Sequence, residues 1–161
     1  GVFYTPRPVV SFIVRSVQIK VAVVVEDERE NGRRAVLNAG HTVAHAVEHA
    51  SGFRVSHGDA VAMGLVAEAH LAESLGLAVT GLAERVTAGL KRLSLPTRLP
   101  VDIDANQLFE AMRLDKKRAG NELRFALLHD IGVMARDADR WTVPVRDAGA
   151  IVHALRTSGA A

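Results

Sequence analysis

Four of the seven histidines of this chain fall in one short stretch, from His41 to His57. His41, His45 and His49 are spaced by four residues, so on a helix each lies about one turn beyond the last, on one face. Neutral imidazole is the commonest protein ligand for zinc, and an i, i+4 pair can present two ring nitrogens to one ion. His57 follows a short loop and could close on the other three. The alternative interpretation is ordinary surface or core histidines on an alanine-rich helix.

Cationic and amide side chains near this stretch could hold anionic groups of a substrate. Arginine makes forked pairs with carboxylate or phosphate, and lysine supplies a point charge. A single cationic or amide side chain of this kind is more often simply solvated than part of a site. Arg34 and Asn38 are i and i+4, so they are expected to share a helix face one turn before His41 and to form a polar row with His41 and His45. The candidates are Lys20, Arg33, Arg34, Asn38, Lys116 and Lys117.

The composition excludes several kinds of protein. The chain has 161 residues, 48% of them apolar, and a net charge of +2. This composition is typical of a globular domain rather than of a disordered chain. It contains no cysteine, so a metal must be held by histidine and carboxylate. The apolar runs are shorter than the roughly 20 residues of a membrane span, and no signal segment opens the chain. These features predict a cytoplasmic protein.

Two kinds of nucleotide binding are also disfavoured. The basic residues are scattered among acidic ones, and no aromatic residue interleaves with a basic run, which argues against a nucleic-acid partner. No glycine-rich phosphate loop follows a predicted strand, so this chain is not expected to bind a dinucleotide by itself.

Hydrophobic periodicity predicts a mainly α, multi-helix domain with a small β-hairpin. The run Val21–Val25 favours a strand by propensity, but the three- and four-residue spacing of apolar residues over 9–27 favours a helix, which we adopt. The hairpin is expected to pair 123–128 with 131–135 around a bend at His129 and Asp130. Further helices are predicted over 35–50, 58–76, 82–93, 104–114 and 146–156.

Residues 37–48 (LNAGHTVAHAVE) and 57–64 (HGDAVAMG) closely resemble the signature of 3-dehydroquinate synthase and its sugar-phosphate cyclase relatives. Supporting matches are Ile19-Lys20, the acidic stretch 27–30, and Met112 with Asp115-Lys116-Lys117. The resemblance covers nearly the whole chain, but only the C-terminal, helical half of that enzyme. It implies a single domain over 1–161, with the family's N-terminal NAD-binding domain absent.

The resemblance implies a lyase that uses Zn²⁺ (or Co²⁺) and NAD. Such an enzyme converts 3-deoxy-arabino-heptulosonate 7-phosphate to 3-dehydroquinate with loss of phosphate, in the shikimate pathway of aromatic amino acid biosynthesis. By motif position, His41 and His57 would be metal ligands, and Glu30 and Glu48 would orient site groups. The residues that would hold the substrate carboxylate and phosphate are His45, Lys20, Arg34, Asn38 and one of Lys116 or Lys117.

The chain also departs from the family pattern. Ala44 stands where the motif usually has a second glycine, Ala39 where a bulkier residue is common, and Asp59 where glutamate is usual. The third zinc ligand, a glutamate, lies upstream in the family, so a separate N-terminal NAD-binding half is expected as a partner, together with homodimer assembly.

Two other functions stay open. One is a cyclase for another sugar phosphate, of the 2-deoxy-scyllo-inosose or valiolone synthase type, although the carboxylate-binding candidates Lys20 and Arg34 favour dehydroquinate. The other is a helical module derived from this family that has lost catalysis and serves in binding or assembly.

Overall fold

The computed structural model describes residues 7–27, 32–118 and 122–161. Six α-helices and one 3-10 helix make up most of this part of the chain, with four short strands between the fifth and sixth α-helices. The helices are α1 (Arg7–Glu26), the 3-10 helix (Arg33–Asn38), α2 (His41–Ala50), α3 (His57–Ser74), α4 (Leu82–Arg92), α5 (Ala105–Arg118) and α6 (Ala148–Thr157), and the strands are β1 (Arg124–Phe125), β2 (Leu128–Asp130), β3 (Val133–Met134) and β4 (Val143–Pro144). The mainly α prediction is confirmed.

Helix α3 is the centre of the core. It contacts α2, α4 and α6, and α2 and α6 each also contact α5. Its buried positions are mostly small, so that neighbouring helices can approach closely. Larger side chains from α3 and the surrounding elements fill the remaining space and are fully buried, namely Leu71, Leu108, Phe125, Leu127, Ile151 and Leu155.

Side-chain caps begin three of these helices. The Ser56 hydroxyl accepts a hydrogen bond from the Asp59 N–H at the start of α3, and the Asp147 carboxylate accepts one from the Ala150 N–H at the start of α6. The Asp104 carboxylate accepts N–H groups of Asn106 and Gln107, at 2.8 and 3.1 Å, which confirms the helix start predicted there.

The helix predicted over 35–50 is interrupted. Residues 33–38 form a 3-10 helix, and Gly40 then adopts a left-handed conformation with φ of 79° before α2 begins at His41. With three residues per turn, positions four apart on a 3-10 helix differ by about 120°. The predicted polar row is therefore wrong, because Arg34 and Asn38 neither share one helix face nor lie on the helix of His41.

The predicted hairpin is right in part. Strands β2 and β3 pair antiparallel, with Leu128 opposite Met134. The bend lies two residues later than predicted, at 131–132, because His129 and Asp130 belong to β2. Strand β1 turns away from this hairpin and pairs with β4, with Phe125 opposite Val143. That long-range pair was missed because two-residue strands carry no readable alternation.

Helix α1 confirms the helix predicted over 9–27, but most of its apolar surface is exposed. Val23 is buried, at 6% exposure, and the helix contacts the 3-10 helix that follows it. None of the helices in the described ranges is long and apolar enough to cross a membrane. The exposed apolar side chains of α1 are Val9, Val10, Phe12, Ile13, Val14, Val17, Ile19, Val21 and Val25.

Candidate metal and substrate site

Three histidine rings meet where α2 and α3 begin. His41 is the first residue of α2 and His57 the first of α3, and their ring centroids are 5.2 Å apart. His45, one turn into α2, has its ring 5.7 Å from His41 and 6.2 Å from His57. The prediction that His57 closes on the preceding helix is confirmed. We call these three residues the histidine cluster.

In two members of the histidine cluster, His41 and His57, the Nδ1 nitrogen of the ring is hydrogen-bonded. The Nδ1–H of His57 donates to the Glu48 carboxylate, at 3.2 Å from both oxygens, and the Nδ1–H of His41 donates to the Ala39 carbonyl oxygen at 3.2 Å. A neutral imidazole that donates from Nδ1 has an unprotonated Nε2, and this arrangement is typical of metal-ligating histidines. Both rings are therefore prepared to bind an ion through Nε2.

Glu48 offers a second way to hold an ion. Ligand atoms of His45, Glu48 and His57 all lie within 4.8 Å of one another, which makes these three the one group of metal-binding type found in the described part of the chain. The Glu48 side chain is only 16% exposed. Imidazole nitrogen and carboxylate oxygen are both donors that suit Zn²⁺ or Co²⁺, so the two imidazoles of His41 and His57 and the group that includes Glu48 both fit these ions.

A cavity of about 580 Å³ runs beside the histidine cluster. Helix α2 forms one wall with His41, His45 and His49, and α5 forms another. Arg124 of β1, Ala126 just after it, Thr142 just before β4 and Asn38 at the end of the 3-10 helix complete the lining. Besides the histidines, polar groups are contributed by Asn38, Thr42, Gln107, Glu110, Arg124 and Thr142.

The structure brings only some of the predicted substrate-binding residues to this cavity. Asn38 and His45 line it, whereas Lys20 and Arg34 are not among its lining residues. Lys20 is exposed on α1. Lys116 and Lys117 lie on α5, whose earlier turns line the cavity, but their side chains are outside the described part of the chain. Glu30 is outside the described residues altogether.

Glu68, a buried acid close to the site, was not among the predicted site residues. Its residue is 3% exposed, and its carboxylate accepts the backbone N–H groups of Gly40 at 2.8 Å and Val43 at 3.3 Å. Burial raises the pKa of Glu68 from 4.5 to about 8, and backbone hydrogen bonds from Gly40, Val43 and Thr42 oppose this shift. An acid in the middle of the apolar segment 64–72 was the available signal.

Solved structures of two related enzymes share this fold. A 2-deoxy-scyllo-inosose synthase complexed with carbaglucose-6-phosphate, NAD⁺ and Co²⁺ matches 96% of this chain and 42% of its own, with a TM-score of 0.85 and 25% identity. A 2-epi-5-epi-valiolone synthase from Streptomyces hygroscopicus with NAD⁺ and Zn²⁺ matches 95% of this chain and 41% of its own, with a TM-score of 0.73 and 24% identity. The fold is therefore that of the helical part of these cyclases.

The sequence comparisons are more specific. The family model described as 3-dehydroquinate synthase C-terminal matches residues 4–118. A 3-dehydroquinate synthase of Nostoc punctiforme is 43% identical over 133 residues, which are 82% of this chain and 37% of that protein. One from a Synechococcus species is 47% identical over 119 residues, 73% of this chain and 32% of that protein. The chain belongs to the 3-dehydroquinate synthase C-terminal family, and it spans 32–37% of the length of these two relatives.

Proposed function

We propose that this chain is the metal- and substrate-binding domain of a 3-dehydroquinate synthase. Together with an NAD-binding half, it would convert 3-deoxy-arabino-heptulosonate 7-phosphate to 3-dehydroquinate with loss of phosphate. The observation that carries the proposal is the pair of rings of His41 and His57, 5.2 Å apart, each with its Nδ1–H on an oxygen acceptor. Because His41 also lines the cavity, an ion held by this pair is suited to contact a substrate bound there.

In this proposal, His41 and His57 hold the divalent ion through Nε2. Glu48 keeps the His57 ring in the orientation and protonation state that leaves this nitrogen free, and the Ala39 carbonyl does the same for His41. When bound, Zn²⁺ or Co²⁺ would act as a Lewis acid on a substrate hydroxyl. A carboxylate from the NAD-binding half would complete the ligand set.

The remaining predicted residues would bind the anionic ends of the substrate. Asn38 can donate its amide N–H groups into the cavity, and His45 can hydrogen-bond to substrate or exchange a proton with it from the same wall. Lys20, Arg34 and one of Lys116 or Lys117 would bring positive charge to the carboxylate and phosphate. Because neither Lys20 nor Arg34 lines the cavity of this chain, their role requires that binding of the NAD-binding half or of substrate bring them to the substrate.

Sequence similarity supports dehydroquinate synthesis over the other cyclase reactions. The two 3-dehydroquinate synthases are 43% and 47% identical to this chain, whereas the inosose synthase is 25% identical. The high structural similarity to the inosose synthase keeps cyclisation of a sugar phosphate without a carboxylate as the second candidate. Homodimer assembly and a cytoplasmic location remain predictions.

Zinc titration by calorimetry tests the metal site. The purified chain would be titrated alone and with the NAD-binding half of a relative such as the Nostoc protein. We expect tight uptake with the added half, and its loss in the His41→Ala and His57→Ala variants. His49→Ala is the matched control, because His49 lies on α2 and lines the same cavity without joining the histidine cluster.

The same mixtures assayed for phosphate release separate the functions. Release from the heptulosonate phosphate, but not from glucose 6-phosphate, is the expected result, and the reverse preference would assign the other cyclase reaction. If the chain alone takes up zinc and this uptake requires His45 and Glu48, these two residues would be the ligands beside His57, in place of His41. No zinc uptake in any mixture would contradict the proposal and favour a non-catalytic module.

A further inference from the structure

Glu68 lies on α3, three turns after His57, yet its carboxylate is at the beginning of α2. One oxygen accepts the Gly40 N–H at 2.8 Å and the other accepts the Val43 N–H at 3.3 Å. These bonds connect residues that are 25 to 28 positions apart in the sequence. The contact is therefore between two helices and not a local turn.

Helix α2 depends on this contact for its N-terminal hydrogen bonds. The first N–H groups of an α-helix have no partner inside the helix, and a side chain at the N-cap usually accepts one of them. The N-cap of α2 is Gly40, which has no side chain to do so. Because Gly40 and Val43 are buried, their N–H groups need an acceptor from the protein, and Glu68 supplies it.

The backbones of α2 and α3 approach very closely beside this contact. A Cβ atom on Gly64, one turn before Glu68, would lie 2.1 Å from the Gly40 carbonyl oxygen, and a Cβ on Gly40 would lie 2.8 Å from the Val61 carbonyl oxygen. Steric contact therefore limits how closely the start of α2 can approach α3, and the two hydrogen bonds to Glu68 oppose its moving away or rotating.

We propose that Glu68 is a positioning residue for the histidine cluster, setting where His41 and His45 stand relative to His57. Helix α3 carries both His57 and Glu68, so a single rigid element presents one ring of the cluster and holds the end of the helix that presents the other two. The role in metal binding rests on the proposed function, but the positioning itself is a property of the free chain.

Nuclear magnetic resonance of the metal-free chain tests the positioning. Glu68→Met removes both acceptor oxygens while keeping an unbranched side chain of similar length in the core. Glu68→Gln retains one acceptor oxygen and places its NH₂ group against the other N–H. Glu73→Met, on the same helix, is the matched control. The signals to follow are the amide protons of Gly40 and Val43 and the cross-peak between the His41 and His57 rings.

In Glu68→Met we expect both amide signals to shift and the cross-peak between the rings to be lost. In Glu68→Gln we expect one amide signal to stay near its wild-type position and the cross-peak to be weakened but retained. Wild-type ring signals and an intact cross-peak in a folded Glu68→Met variant would overturn the proposal, because Glu68 would then serve stability alone. Should Glu68→Met not fold, unchanged ring signals in Glu68→Gln would overturn it equally.

Cobalt binding connects the positioning to function. With the NAD-binding half present, we expect Glu68→Met to weaken Co²⁺ binding by about 10- to 100-fold, as for other residues that orient metal ligands, and to change the visible absorption spectrum of the ion. An unchanged spectrum and affinity beside displaced rings would overturn the metal-binding role of the positioning. Failure of the wild-type chain to take up Co²⁺ would count against the proposed function, while the metal-free cross-peak would still decide the role of Glu68.

Discussion

Helices α1 and α2 both contain valine, but they differ in how much of it is buried. Val47 on α2 is 0% exposed, whereas Val17 on α1 is 54% exposed. Helix α2 packs closely against α3 through glycine and alanine contacts and is hydrogen-bonded there by the buried carboxyl group of Glu68. Helix α1 contacts the 3-10 helix and leaves most of its apolar side chains uncovered. Apolar content alone therefore does not tell which helix builds the site.

The largest expected effect comes from forcing α2 and α3 apart. Gly64→Ala places a methyl group 2.1 Å from the Gly40 carbonyl oxygen, and backbone cannot yield as a flexible side chain does. We expect a loss of about 3 kcal/mol or more in the free energy of unfolding, measured by urea denaturation. Gly89→Ala on α4, where a Cβ meets nothing within 4 Å, should instead stabilise by about 0.5 to 1 kcal/mol. Equal effects at the two positions would contradict the close approach.

Truncating the buried valine of α2 is expected to come next. Val47→Ala removes two methyl groups from a fully buried site and leaves a cavity. The expected loss in the free energy of unfolding is about 2 kcal/mol, combining the lost burial with the cavity. Urea denaturation measures this loss, and a change below about 0.5 kcal/mol would show that α2 can collapse onto the vacated space.

The buried carboxyl of Glu68 makes stability depend on pH. Its pKa rises from 4.5 in the unfolded chain to about 8 in the folded one, so between these values the folded protein holds a proton that the unfolded chain releases. Stability should therefore fall as the pH rises from about 4.5 to 8, by about 1.4 kcal/mol per pH unit at the steepest. Thermal unfolding across this range measures the slope, which Glu68→Gln should reduce.

The smallest effect is expected on α1. Val17→Ala removes the same two methyl groups as the change at Val47, but from a side chain that is more than half exposed. The free energy of unfolding of the isolated chain should change by no more than about 0.5 kcal/mol. Urea denaturation of both variants measures the difference. A loss as large as that at Val47 would contradict the comparison, because it would mean that this face of α1 is covered in solution.

Much of the fold could be predicted from local pattern. Residues 41–50 and 58–74 were predicted to be helical and are, because apolar spacing and the turn between the two helices are local signals. The meeting of their rings followed from a short connection. The pairing of β1 with β4 could not be predicted, since it joins residues about 20 apart through strands of two residues each. The break at Gly40 was also missed, because a single glycine inside a helical pattern is often tolerated and does not by itself mark a helix end.

By itself, the sequence determined the residue types of the site and the family to which the chain belongs. Histidines spaced by four and the flanking motif depend only on the order of residues. Only the tertiary structure decided which imidazole nitrogens remain free, which cationic candidates line the cavity, and that an acid on α3 holds the start of α2. These properties arise from contacts between distant segments, whose hydrogen bonds and burial no local pattern encodes.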